Sequence, residues 1–161
     1  MLTKKVEELC NRQIEREGYS SNLYLAMASW AETKGMSGIA AWLYAQADEE
    51  RAHMFKFIRW VNERGGNAII PEFKKPPVKF KGIPEAFAEV LKHEKFISAS
   101  INEVLETAMA EKDHATANWI QWFVKEQVEE ESSAQQIIDK LELAGPVGVY
   151  FLDRDIMKLR E

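Results

Sequence analysis

Residues 77 positions apart in this chain repeat one another: Glu17 and Glu94, Glu50 and Gln127, His53 and Glu130, Glu49 and Glu126, Trp42 and Trp119. A repeat of that length in a chain of 161 residues divides it into two units of one design. Each unit holds two long runs with apolar residues at helical spacing, so each reads as a helical hairpin and the pair as related by a pseudo-twofold axis. The eight glycines and five prolines gather at a few points between these runs, which favours long helices over strands and turns.

The punctuation sets the boundaries. The first helix spans about 4–34, with Thr3 as N-cap and Gly35 as a left-handed stop. The second spans 38–64, with Ser37 as cap and Gly65-Gly66 at its end. Residues 67–82 contain Pro71, Pro76 and Pro77 and carry no helical stripe, so they read as one long crossover. Pro84 suits the first turn of a third helix over 83–111, Asp113 caps a fourth over 114–143, and Gly145-Pro146 precedes a short fifth over 147–159. The predicted architecture is all-α: residues 1–161 form a single four-helix bundle with one long crossover between the second and third helices and a short C-terminal helix.

Each long stripe is interrupted by polar residues where the core should be. Glu17 interrupts the first, with Tyr24 two turns further along the same face. Glu50 and His53 interrupt the second, Glu94 the third, and Gln127 and Glu130 the fourth. Glu50 and His53 are three residues apart and leave one face of their helix, a spacing at which a carboxylate and an imidazole can grip one ion. Counted from the hairpin turns, Glu17 and His53 fall level with each other, as do Glu94 and Glu130. Antiparallel packing therefore brings Glu17, Glu50, His53, Glu94, Gln127 and Glu130 to one height.

Four carboxylates there carry a formal charge of about −4, which a dry core does not tolerate and two divalent cations would cancel. A dinuclear metal site is the simplest answer. Oxygen-rich ligands with one imidazole and no thiolate suit iron or manganese, and zinc would bind too. The bland reading, acids satisfied inside the bundle by a base such as Arg51 beside Glu50, gives way to the convergence of six polar residues on four core stripes. Glu49, Glu126 and Glu129 flank the same place and read equally well as a solvated acidic face or as a third, weaker metal site. His93 and His114 lack clustered acids and read as surface residues, while Trp30, Trp42, Trp60 and Trp119 read as packing or interface.

Composition narrows the setting. One cysteine, Cys10, excludes an internal disulfide and a Cys-rich metal centre and points to a reducing, cytoplasmic compartment. The N-terminal eight residues meet acids where a signal peptide would have an apolar run, and the longest charge-free run, 18–31, is too short and polar to span a bilayer. A net charge of −5 argues against nucleic acid as partner.

At Glu17, Tyr24, Glu50-x-x-His53, Glu94 and Gln127-x-x-Glu130 the chain resembles the ferritins, specifically the haem-free bacterial and archaeal kind, over its whole length. The resemblance implies iron storage and a ferroxidase centre, with Glu17, Glu50 and His53 around one iron and Glu50, Glu94 and Glu130 around the other. It implies that Gln127 sits beside the dioxygen site, that Tyr24 is an electron donor or hydrogen-bond partner, and that Glu49, Glu126, Glu129 and Glu130 form a third iron site. Its expected partners are Fe(II), dioxygen or hydrogen peroxide, and a homo-oligomeric shell of 24 subunits.

Haem is not expected, because bacterioferritins carry a second Glu-x-x-His and a haem-ligating Met where this chain has Gln127-x-x-Glu130 and Arg51. Animal ferritins line a threefold pore with acids, where this chain offers Ala117 and Ile120. Two rivals stand beside this reading: a di-iron or di-manganese oxidase or peroxidase of the same fold that stores nothing, and a purely structural bundle.

Overall fold

A computed structural model describes residues 1–160. Four long antiparallel helices, α1 (Lys4–Thr33), α2 (Ser37–Glu63), α3 (Ile83–Ala110) and α4 (His114–Ala144), are followed by a short α5 (Gly148–Asp155) set between two 3-10 turns, Gly145–Val147 and Ile156–Arg160. α1 packs along α2, α3 along α4, and the hairpins join mainly through α1 against α3. On the opposite side α2 and α4 face each other through large side chains, with Trp60 stacked on Trp119 at 4.7 Å and Phe57 against Phe123 at 4.5 Å.

The predicted caps hold at two of three places. Thr3 accepts from Val6 N at the start of α1, and Asp113 accepts from Thr116 N at the start of α4. Gly35 takes the left-handed φ of 76° that ends α1. Ser37, expected as a cap, is instead the first residue of α2, whose N-cap Met36 has no capping side chain. The free N–H of Ile39 is satisfied from α5, by Asp153 Oδ1 at 2.8 Å. Gly38 makes that approach possible, since a Cβ there would lie 1.8 Å from the Asp153 carbonyl oxygen.

On α3 the helical spacing through Phe87, Glu94, Ile101 and Ala108 leaves open which flank turns inward, Leu91, Ser98 and Leu105 or Val90, Ile97 and Val104; the first set was expected, and the second is the buried one. Both sets flank the same heptad seam, and tertiary packing selects one flank. Ile120 is fully buried in the bundle core beside Phe57 and Phe123, so it is not free to line a pore.

The apolar core consists of two clusters stacked along the bundle. One holds Val6 to Ile14 of α1, Phe57 and Val61 of α2, Ile97 to Ala108 of α3, and Ile120 and Phe123 of α4. The other holds Leu23 to Ala31, Ile39 to Ala47, Ile83 to Val90, and Ala134 to Leu141, capped by Leu152 and Ile156. In every helix the handover from one cluster to the other falls on the polar interruptions: Glu17, then Glu50 and His53, then Glu94, then Gln127 and Glu130. The fold thus surrounds one polar layer with apolar packing above and below.

Candidate metal centre

Each residue of the polar layer comes from the middle of a long helix, where backbone hydrogen bonds fix the Cα positions on both sides. Glu17, Glu50, Glu94 and His53 are at most 2% exposed, Gln127 is 4% and Glu130 is 7%. Glu17, Glu50 and His53 offer ligand atoms within 4.8 Å of one another. His53 Nδ1 stands 3.6 Å from Glu50 Oε2 and 4.0 Å from Glu17 Oε2. Such separations fit two ligand atoms about a common ion with bonds of ~2.0–2.2 Å, as for zinc. Among the described residues, Glu17 Oε2 and Glu50 Oε1 are buried with no hydrogen-bond partner. Native interiors rarely tolerate orphaned carboxylate oxygens, and two of them on neighbouring carboxylates that share an imidazole fit a cation site.

The other half of the layer is satisfied from within. Tyr24 donates to Glu94 Oε1 at 2.6 Å, Gln127 donates to Glu94 Oε2 at 3.1 Å, and Gln46 donates to Glu130 Oε2 at 2.9 Å. Gln13 donates to Glu17 Oε1 at 2.7 Å and is itself held by Ser100.

The electrostatics follow from this crowding. Burial raises the Glu17 carboxyl far above the ordinary carboxylate range, and the charge of Glu50 adds to it. Burial likewise raises Glu50, reinforced by Glu94 and Glu130, so Glu50 lies within reach of both halves of the layer. Glu94 is raised by burial against the pull of Tyr24 and Gln127. Glu130 is pushed up to about 8 by burial and then by Glu94 and Glu49. The Tyr24 phenol is raised by burial and by the Glu94 charge. Without a cation Glu130 therefore still holds its proton at neutral pH, and burial pushes the other three carboxyls in the same direction.

A second cluster lies on the α2–α4 side, where Glu49, Glu126 and Glu130 bring ligand atoms within 4.8 Å. It borders a cleft of about 190 Å³ that Glu129 also lines. Glu129 itself stands outside the cluster, exposed and paired with Lys125 at 3.8 Å. His53 links the layers, since its Nε2 lies 4.0 Å from Glu126 Oε1.

Several expectations change. Arg51 is exposed over the Phe55 ring and does not pair with Glu50. His93, read as a surface residue, is half-buried with Nε2 2.7 Å from Ser20 Oγ. Gln13, Gln46 and Arg160 touch the centre and were not singled out as site residues. Gln13 and Gln46 do sit on the apolar stripes, which is a usable signal; Arg160 offers none.

A bundle whose two hairpins each supply core carboxylates at one level, with a single imidazole among them, belongs to the class of helical bundles whose cores are able to hold metal. The comparisons specify the kind. The family model for the ferritin-like domain matches residues 7–144. The bacterial non-heme ferritin of Campylobacter jejuni is 40% identical over 161 residues, covering 99% of this chain and 96% of that one. The bacterial non-heme ferritin of Escherichia coli O157:H7 is 38% identical over 161 residues, covering 99% of this chain and 98% of that one. The open pore ferritin of the archaeon Archaeoglobus fulgidus superposes with a TM-score of 0.94 at 41% identity, covering 96% of this chain and 97% of that one. The chain belongs to the ferritin family.

Proposed function

We propose that this chain stores iron, oxidising Fe(II) with dioxygen at the polar layer and collecting Fe(III) as hydrated ferric oxide inside a hollow shell of 24 copies. The observation that carries the reading is the pair of buried, unpartnered oxygens, Glu17 Oε2 and Glu50 Oε1, on two carboxylates that both approach His53 Nδ1. Two Fe(II) ions are the substrate. Each gives up one electron, and dioxygen takes two electrons and two protons to become hydrogen peroxide, itself an oxidant for further Fe(II).

Glu17, Glu50 and His53 hold one iron, and Glu50, Glu94 and Glu130 hold the other, with Glu50 shared. Gln127 and Tyr24 fix Glu94 from two directions and keep its oxygens aimed into the layer. The two positions are unequal. Glu17 Oε2 and Glu50 Oε1 have no competing donors, whereas Glu94 and Glu130 must give up or share hydrogen bonds, so the Glu94–Glu130 position binds more weakly and releases iron first. Glu49, Glu126 and Glu130 make a third, outer iron position, and Glu129, which was expected among its ligands, lines only the cleft beside it. Among the described residues no helix is long and apolar enough to cross a membrane, and the lone, buried thiol of Cys10 fits the cytoplasm.

Anaerobic loading with Fe(II) followed by oxygen tests the assignment. Glu50→Ala combined with His53→Ala is expected to slow ferric formation by roughly 100-fold or more, given that even the outer partners of metal ligands are worth about 10–100-fold. Oxidation at the parent rate would overturn it.

A further inference from the structure

The C-terminal 3-10 turn Ile156–Arg160 folds back over the mouth of the outer acidic cluster. Ile156 is fully buried and Leu159 packs against the same apolar cluster, so the turn is anchored before its last residues reach the acids. Arg160 then lies along the cleft formed by Glu49, Glu126, Glu129 and Glu130. Its Nη2 donates to Glu49 Oε2 at 2.7 Å, its Nη1 donates to Gln46 Oε1, and its Cζ lies 5.8 Å from the Trp42 ring.

The contact with Gln46 reaches further than Glu49. Gln46 is 3% exposed and has one amide group to orient. A guanidinium donating to its oxygen forces its NH2 the other way, and that NH2 donates to Glu130 Oε2 at 2.9 Å. Arg160 therefore holds one carboxylate of the outer cluster directly and, through Gln46, the carboxylate that the outer cluster shares with the inner layer. The neighbouring bases, Arg154 and Lys158, are both engaged by Asp155.

We propose that Arg160 is a latch on the outer cluster: its guanidinium stands where a cation would neutralise Glu49, and a divalent ion must displace the C-terminal turn to reach Glu49 and Glu130 together. This rests on the outer cluster being a metal position. The latch makes the outer position fill after the inner ones and couples its filling to movement of residues 156–160. Arginine suits the role because its planar fork reaches an amide oxygen and a carboxylate at once, which a lysine ammonium on a flexible stem does less well.

The test is an anaerobic Fe(II) titration of the full chain by calorimetry, comparing the parent with Arg160→Gln and Arg160→Lys. Arg160→Gln is expected to bind the outer class of ions roughly 1.5- to fivefold more tightly, the range a partly exposed ion pair holds back, with the inner class unchanged. Arg160→Lys should fall between the two. Hydrogen exchange gives a second readout: in the parent, amides of 156–160 should exchange faster once the outer class is filled. An outer class equally tight or weaker in Arg160→Gln overturns the latch and leaves the metal reading intact. Loss of the outer class from parent and variant alike, with the inner class present, overturns both.

Discussion

Glu130 states the energetic problem of the centre in one side chain. Its carboxyl, ordinarily near 4.5, is raised to about 8 in the folded protein, chiefly by burial. Between those two pH values the unfolded chain has released the proton and the folded chain still holds it. The unfolded state then binds fewer protons, so stability falls as pH rises through that window. Glu17, Glu50 and Glu94 are raised in the same direction and add to the trend. A bound divalent cation replaces those protons and removes the trend. The expected result is a melting temperature of chelator-treated protein that falls from pH 5 to pH 8, and one nearly flat over that range with Zn(II) present; a metal-free protein equally stable at pH 8 would count against the centre as drawn. The carboxylates and His53 were legible in the sequence because each breaks an apolar stripe, and the 77-residue repeat aligns the breaks. The hydrogen-bonding partners were less so. Gln46 meets Glu130 across 84 positions and Arg160 meets Gln46 across 114, contacts that no helical period encodes.

The same distinction between local and distant contacts governs the elements. Thr3 and Asp113 could be named as caps because a side chain at the N-cap reaches an N–H two or three residues on. Asp113 also pairs with Arg64 at 3.1 Å, tying the end of α2 to the start of α4. The start of α2 is different, for Asp153 of α5 caps it from 114 positions away. Ser37 carried the correct local signal, but the helix begins on it and takes its cap from elsewhere. Asp153→Ala is therefore expected to destabilise by about 1 kcal/mol, the usual worth of a cap, and to act on two helices at once. Thermal melting would show the loss, and hydrogen exchange should rise at the first turn of α2 and throughout α5. Protection unchanged at both would mean that α5 is held by its apolar side alone. Helix lengths and the crossover were readable from glycine, proline and stripe, whereas the flank of α3 that turns inward depended on how the neighbouring helices pack on it.

At the scale of the molecule, α5 is where one chain stops accounting for itself. Leu152 and Ile156 are buried against the bundle, yet Tyr150 is 69% exposed, Phe151 43% and Met157 43%, and the Tyr150 and Phe151 rings meet edge to face at 5.6 Å. An eight-residue helix with apolar side chains on both faces is placed to pack on the bundle inward and on other copies outward. The proposed shell supplies that outer cover, and iron storage depends on it, because an open dimer has no interior to fill. Tyr150→Glu with Phe151→Glu puts two charges on the outer face and changes no residue of the polar layer. The expected outcome in electron microscopy after iron loading is a hollow particle with a dense core for the parent, and small particles without a core for the variant, which still binds Fe(II) at the inner layer and oxidises it. A variant shell like the parent's would show that α5 does not hold the copies together. A parent that stays a monomer or dimer with iron added would remove storage altogether and leave a di-iron oxidase built on the same four helices.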